Sequence, residues 1–253
     1  MTIIRTARGF DFASAPRRLN VGCGMDMKPG YLNVDFQDYH APDVFADVRE
    51  LADFPSSHFD EVFACDVLEH VGRTETPYTL AVWNRVLAPG GKLWIRTTNL
   101  MGLLELLRHK DYRSVAQQEM LVQFTFGTQA YTGDFHMTGF TDITMRHYLQ
   151  SAGFRIDKLA VRDHWLFEVW ATKVGEPVDE GARIRARLRG VLDQREFVTE
   201  CFRQVLGREP WPEDITHHEQ LLDTGTSDRF QLVESILKSD EARQRRAGLN
   251  AGS

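Results

Sequence analysis

Two strand-type runs that follow one another with no helix between them constrain this chain more than any other feature: FRIDKLAVRD (Phe154 to Asp163) and HWLFEVWATKV (His164 to Val174). Everything before them alternates. Leu19–Val21, Tyr31–Asp35, Val44–Ala46, Glu61–Cys65 and Lys92–Arg96 read as strands, whereas Tyr78–Leu87, Met101–Arg108 and Asp142–Ala152 carry apolar residues at helical spacing. Alternating strands and helices predict a parallel, doubly wound sheet. Two strands joined only by a turn must instead run antiparallel. Together these conditions predict a doubly wound α/β fold, with a mostly parallel seven-stranded sheet that ends in a C-terminal antiparallel hairpin. APGGK at Ala88–Lys92 predicts a turn between helix and strand, and Gly153 a left-handed cap on the third helix.

The composition then changes. VGEPVDEGA (Val174 to Ala182) is acidic and contains Pro and Gly, the marks of a linker. Beyond it the pattern is helical throughout, with Phe197, Cys201, Val205 and Leu206 and then Phe230, Val233, Ile236 and Leu237 at helical spacing. The expected division is a first domain over residues 1–175, a linker and lead-in helix over 176–190, and a small all-α C-terminal domain over 191–247.

RLNVGCGMDMKPGYLNVDF (Arg18 to Phe36) is the stretch that carries a binding function. A short apolar strand runs into two glycines, Gly22 and Gly24, and a second strand ends in an acid, Asp35. A dinucleotide fingerprint sets its acid about 20 positions beyond the glycines, with a helix in between whose N-terminus stabilises a pyrophosphate. Here only Met25 to Val34 intervene. The spacing counts against NAD or FAD and suits a nucleoside ligand without phosphate. S-adenosylmethionine is such a ligand: glycines let the backbone approach it, and a carboxylate accepts from its ribose hydroxyls.

Further motifs follow in order: ADVREL (Ala46 to Leu51), FDEVFACDVLEHV (Phe59 to Val71), VLAPGGKLWI (Val86 to Ile95) and LQSAGF (Leu149 to Phe154). With NVGCG and Asp35 they make the segment from about Arg17 to Lys173 resemble the class I S-adenosylmethionine-dependent methyltransferases, in particular a compact bacterial group. The resemblance implies that Asn20, Gly22, Cys23 and Gly24 form the donor loop and that Asp35 takes the ribose diol. It sets Asp47 and Val48 at the adenine and makes Asp66, Val67 and Leu68 line the donor pocket. Asn20 replaces the acid that commonly braces the methionine amino group. RTTNL after the fifth strand lacks the proline many relatives carry. The tail, with LGREP and SDEAR, resembles a small helical bacterial domain of unknown function that often accompanies glycosyltransferases and methyltransferases.

FGTQAYTGDFHMTGF (Phe126 to Phe140) is a long loop rich in glycine and aromatics, of the kind that usually serves function. Its Asp134 and His136 are the candidate catalytic pair, His136 as base and Asp134 holding its tautomer. His70 is expected to shape the loop after the fourth strand, and Trp83, Trp165 and Trp170 to be core. The expected activity is methylation of an oxygen on a small-molecule or glycan acceptor; the alternative is a non-catalytic adaptor in a glycan-assembly complex. The tail is the expected surface for a protein partner or self-association.

A net charge of −6 gives no support for nucleic-acid binding. The basic stretch ARIRARLRG (Ala182 to Gly190) is flanked by acids and reads as a solvated helix face. Cys23, Cys65 and Cys201 are odd in number and far apart, so neither a disulfide framework nor a zinc site is expected, and no metal is assigned. No apolar run reaches the length of a membrane span, and MTIIRTARGF lacks the apolar core of a signal peptide. These features predict a cytoplasmic protein.

Overall fold

The computed structural model describes residues 6–131, 133–189, 191 and 193–250. Seven strands form one sheet: β1 (Arg18–Val21), β2 (Leu32–Asp35), β3 (Val44–Phe45), β4 (Phe59–Cys65), β5 (Leu87–Thr98), β6 (Phe154–Arg162) and β7 (Leu166–Lys173). Their order is β3-β2-β1-β4-β5-β7-β6. Neighbours from β3 to β5 run parallel, and β7 lies antiparallel to both β5 and β6. Strand order reverses between β1 and β4, the position at which open α/β sheets bind their ligands.

The helices of this unit are α1 (Thr76–Val86), α2 (Leu100–Arg108), α3 (Val115–Phe126) and α4 (Asp142–Ser151). The sequence pattern gives no sign of α3, and its geometry shows why. Val115, Val122 and Phe126 line one side and are exposed, whereas Leu121 and Phe124 pack on the opposite side with Leu103 and Leu106. Two apolar stripes on opposite sides cancel the single-sided periodicity from which an amphipathic helix is read. What fixes its start is a capping box: Ser114 Oγ accepts from Gln117 N, and the Gln117 side chain accepts from Ser114 N.

The turn expected at Ala88–Lys92 is absorbed into a strand. Phe59 pairs with Leu87 but Glu61 pairs with Lys92, so the residues between form a bulge in β5, with Gly90 at φ 76°. Glycine and proline punctuate the chain here without ending the ladder.

The crossovers β1–β2, β2–β3 and β3–β4 contain no α-helix. The ten residues from Gly22 to Tyr31 are held by side chains instead. Asn33 Oδ1 accepts from Asn20 Nδ2 (2.9 Å) and Lys28 N (2.8 Å), and Asn20 Nδ2 also donates to Asp26 O (2.9 Å). On β4 and β5 the buried residues alternate with half-buried aromatics: Val62, Ala64, Leu93 and Ile95 are sealed, while Phe63 and Trp94 are not. Phe63, Trp94 and Trp170 are cross-strand partners in one row, Phe63 and Trp94 stacked at 4.2 Å. Lys28 lies 4.2 Å over Phe63, Arg18 4.6 Å over Tyr31 and Lys158 4.6 Å over Trp170. Cation–π attraction and the aliphatic stems of these residues shield a sheet face that has no helix from its first three crossovers.

The chain divides into two compact units, up to Val178 and from Asp179. Within the segment 176–190, Val178 N still donates to Ser151 O (2.7 Å) in the first unit. α5 (Glu180–Leu188) sends Ile184 and Leu188 into the core of the second, with Phe197, Cys201, Val233 and Ile236. That unit continues with α6 (Gln194–Cys201), a π turn (Phe202–Leu206), α7 (Pro212–Asp223), α8 (Arg229–Leu237) and α9 (Asp240–Asn250). Among the described residues no helix is long and apolar enough to cross a membrane.

Candidate functional site

A cavity of about 580 Å³ opens at the carboxyl ends of β1, β2 and β4. Asn20, Gly22, Cys23, Gly24, Asp35, Asp47, Val48, Asp66 and Val67 all line it. Leu68 does not: it is fully buried in a single 3-10 turn, Leu68–His70, which turns it into the core. That is a correction to the set read from the motif. The cavity also takes in His70, as its expected place in the loop after β4 implies, and Met25, His40, Arg49, Arg96 and Tyr131, which sequence reading did not single out.

Asp35 is the centre of this site. It is 4% exposed, its Oδ2 accepts from Gly24 N (2.9 Å), and its Oδ1 accepts from Gln37 N (2.8 Å). His40 Nδ1 lies 3.3 Å from Oδ1. One carboxylate therefore ties the glycine loop to the end of β2 and retains lone pairs that face the cavity, since an ionised carboxylate offers about four acceptor sites. Gly22 is held at φ 61°, and a Cβ added there would lie 2.6 Å from Val67 Cγ2. The position thus excludes a side chain both by conformation and by space.

Two of these residues also carry structural contacts. Asn20 is 2% exposed and spends its amide on Asp26 and Asn33, bracing the compact connection. Asp47 is gripped by Arg49, whose Nη2 approaches Oδ2 at 2.7 Å and whose Nη1 reaches Glu75 Oε2 at 3.0 Å. Hydrogen bonding to Asp47 raises the Arg49 pKa, so the guanidinium stays charged. Val48 packs beside it, its carbonyl accepting from Trp83 Nε1 (2.9 Å). Burial pushes the Cys23 and Cys65 thiols up to about 12, which leaves neither as a thiolate at neutral pH.

A second cavity of about 290 Å³ adjoins the first. Asp66 and Arg96 line both, joined by a short ion pair. The rest of its wall includes Glu69, Thr98, Phe124, Asp134, His136 and Trp165. The Gly127–Phe140 loop shapes both cavities, with Tyr131 and Gly133 on the larger and Asp134 and His136 on the smaller. Glu69 O anchors it by accepting from Met137 N (2.7 Å) and Thr138 N (3.1 Å), and Phe135 O meets His70 Nδ1 (3.2 Å).

Asp134 and His136 share the smaller cavity but not a hydrogen bond. Gln129 N donates to Asp134 O and Asp134 N to Tyr131 O, closing a turn that directs the carboxylate to Thr128 Oγ1. The expected tautomer-holding contact is thereby corrected. The ring beside His136 is His70, edge to face at 4.9 Å. Burial and then the nearby His70 lower the His136 pKa, and its Nδ1 is sheltered from solvent with no partner. His136 is therefore a neutral imidazole at pH 7.

Glu69 is the buried acid that sequence reading gave no chemical role. It is 1% exposed, Oε2 accepts from Thr97 Oγ1 (2.7 Å), and burial, then the charge of Asp66, pushes its pKa up to about 8. Below its ordinary value of 4.5 the group is neutral whether folded or not. Between 4.5 and about 8 the unfolded chain ionises while the folded one keeps its proton, so stability falls as pH rises through that window. The shift corresponds to on the order of 5 kcal/mol across the window at most. Glu69→Gln should remove this slope and keep the Thr97 bond; unfolding midpoints measured from pH 5 to 8.5 that fall equally in both proteins would refute the assignment.

Comparison with known proteins agrees with this geometry. Residues 8–95 match the methyltransferase domain family, and residues 185–246 match a domain of unknown function (DUF4214). The chain carries a methyltransferase domain followed by a DUF4214 domain. Over residues 8–95 the chain is thus similar to a methyltransferase domain, and the glycine loop, the buried Asp35 and the cavity volume fit a nucleoside such as S-adenosylmethionine. Among solved structures, the chain is similar to an S-adenosylmethionine-dependent methyltransferase from Methanosarcina mazei (19% identity, 63% of this chain and 92% of that one, TM-score 0.47). It is also similar to a protein of Pyrococcus horikoshii (18%, 62% and 81%, TM-score 0.45). A third is the 1,6-didemethyltoxoflavin-N1-methyltransferase of Burkholderia thailandensis, solved with S-adenosylhomocysteine (15%, 62% and 71%, TM-score 0.42). No curated relative matches the chain.

Proposed function

We propose that this chain transfers a methyl group to an oxygen of a small hydroxyl acceptor bound in the smaller cavity. The observation that carries this reading is the meeting of two cavities at the Asp66–Arg96 pair, one with a glycine loop and a buried carboxylate, the other with an imidazole. Asp35 would accept from both ribose hydroxyls, Asp47 and Val48 would border the adenine, and Asn20, Gly22, Cys23, Gly24, Asp66 and Val67 would border the amino-acid end. When bound, the donor supplies a methyl on a positively charged sulfur; the electron pair of the S–CH3 bond stays on sulfur as the O–CH3 bond forms. His136 would receive the hydroxyl proton. Holding both reactants in line contributes most of the acceleration.

A sugar or glycan is one such acceptor, supported only by the company kept by tails of this kind. The helical tail, with Trp211 exposed and Arg208 4.0 Å over its ring, offers a surface for a protein partner or self-association. Three free cysteines fit a reducing, cytoplasmic setting.

Calorimetry of the full chain with S-adenosylmethionine and S-adenosylhomocysteine is the direct test; absence of binding to either would refute the reading. A chain ending at Val178 should also fold and bind the donor within about threefold of the full chain, because the cavities and their supporting bonds belong to the first unit. Aggregation or lost binding on truncation would show that the tail completes the catalytic unit.

A further inference from the structure

The turn between β6 and β7 is built on two consecutive residues in the left-handed region, Asp163 (φ 49°) and His164 (φ 68°), neither of them glycine. Such a turn suits the twist of a hairpin, and Asp and His are among the non-glycine residues that adopt this conformation most readily. Its product is a fixed position for Trp165. Trp165 N donates to Arg162 O (3.1 Å) and Trp165 O accepts from Asn99 N (2.7 Å). The turn presses so closely on α2 that a Cβ on Gly102 would lie 1.8 Å from His164 O. The indole is stacked on Phe124 at 4.1 Å and 11°, and both rings line the smaller cavity with Leu166. Phe124 comes from the inward side of α3, so two separate elements converge to make one aromatic wall. The polar part of the lining includes Glu69, Thr98, Asp134, His136 and the Asp66–Arg96 pair.

We infer that the acceptor hydroxyl is borne on a planar aromatic ring, a phenol or catechol, held against the Trp165–Phe124 wall, with Trp165 as the specificity-determining residue. This rests on the smaller cavity being the acceptor site. A space of about 290 Å³ suits one or two fused rings. Offset or edge contact between aromatic rings adds to the burial of their surface. The base points the same way. An imidazole whose proton affinity is reduced by burial and a neighbouring histidine is better matched to a phenol, with a pKa of about 10, than to the far less acidic hydroxyl of a sugar. In the transfer the phenol proton passes to His136, an oxygen electron pair forms the bond to the methyl carbon, and the S–CH3 pair remains on sulfur as S-adenosylhomocysteine is released.

The test is calorimetry of the full chain saturated with S-adenosylhomocysteine, titrated with catechol and with methyl α-glucoside. Catechol should bind at least tenfold more tightly than the glucoside. Trp165→Leu should weaken catechol at least tenfold while S-adenosylhomocysteine stays within twofold, and Trp165→Phe should keep catechol within about threefold. Equal or tighter glucoside binding, no catechol binding, or full catechol affinity in a folded Trp165→Leu protein would each overturn the inference and leave the donor reading intact. The wild-type comparison of the two probes holds even where a Trp165 variant does not fold. Failure of S-adenosylhomocysteine itself to bind would refute the underlying function and the inference with it.

Discussion

Asp35→Ala should reduce affinity for S-adenosylmethionine by 100-fold or more. Charge-assisted hydrogen bonds contribute roughly 1.5–3 kcal/mol each, and two to the ribose hydroxyls already account for that loss at about 1.4 kcal/mol per factor of ten. The structure adds a second effect. Asp35 also receives Gly24 N and Gln37 N, so alanine frees the glycine loop from the end of β2 and disorders the cavity it was meant to line. Asp35→Asn separates the two contributions. Its amide oxygen still accepts one backbone N–H, whereas its NH2 cannot accept from a hydroxyl, so most of the affinity loss should remain while thermal stability recovers. Calorimetry alongside thermal unfolding reads both quantities, and unchanged donor affinity in either variant would remove Asp35 from the site.

His136→Ala should lower turnover by roughly 10²-fold or more, the scale of a lost general base, with donor affinity within about twofold because His136 lines only the smaller cavity. The pH profile distinguishes chemistry from packing. A base must be unprotonated to act, so wild-type turnover should climb with pH through a midpoint below the ordinary histidine value and stay level through neutrality. The variant should lose that ascending limb. Near-normal turnover with an unaltered limb would leave positioning alone to explain the reaction.

The sheet was readable in the chain because each of its strands is a short apolar run bounded by a turn residue, and the FRIDKLAVRD–HWLFEVWATKV pair could be joined in only one sense. α3 was not readable, since Val122 and Phe126 on one side answer Leu121 and Phe124 on the other. Much the same division runs through the site. Nine residues of the glycine, ribose, adenine and β4 motifs do line one cavity, because a motif is a local geometry and local geometry is what spacing encodes. Leu68 fell outside it because one turn of 3-10 helix rotates a side chain away from its neighbours. Trp165 read as core and does pack on the Leu103, Leu106 and Leu121 cluster, but no local pattern reports that it also meets Phe124, 41 positions earlier in the chain, on a cavity wall. Glu69 shows the same limit: nothing in DVLEHV reveals that this acid, and not Asp66, is the one sealed from water.

The Asp66–Arg96 pair has a thermodynamic corollary. A pair that forms part of the wall of two sites cannot move toward one occupant without altering what it presents to the other. The two affinities are then coupled, and the coupling is reciprocal: whatever factor a bound donor applies to acceptor affinity, a bound acceptor applies to donor affinity. On the proposed reading, the demethylated donor would differ from the intact one by a methyl group and a unit of charge, in the cavity that the carboxylate of Asp66 lines. Loss of that positive charge would change the field on the pair, and with it what the pair presents to the neighbouring cavity. The methyl transfer would then itself alter the hold on both products through this one ion pair.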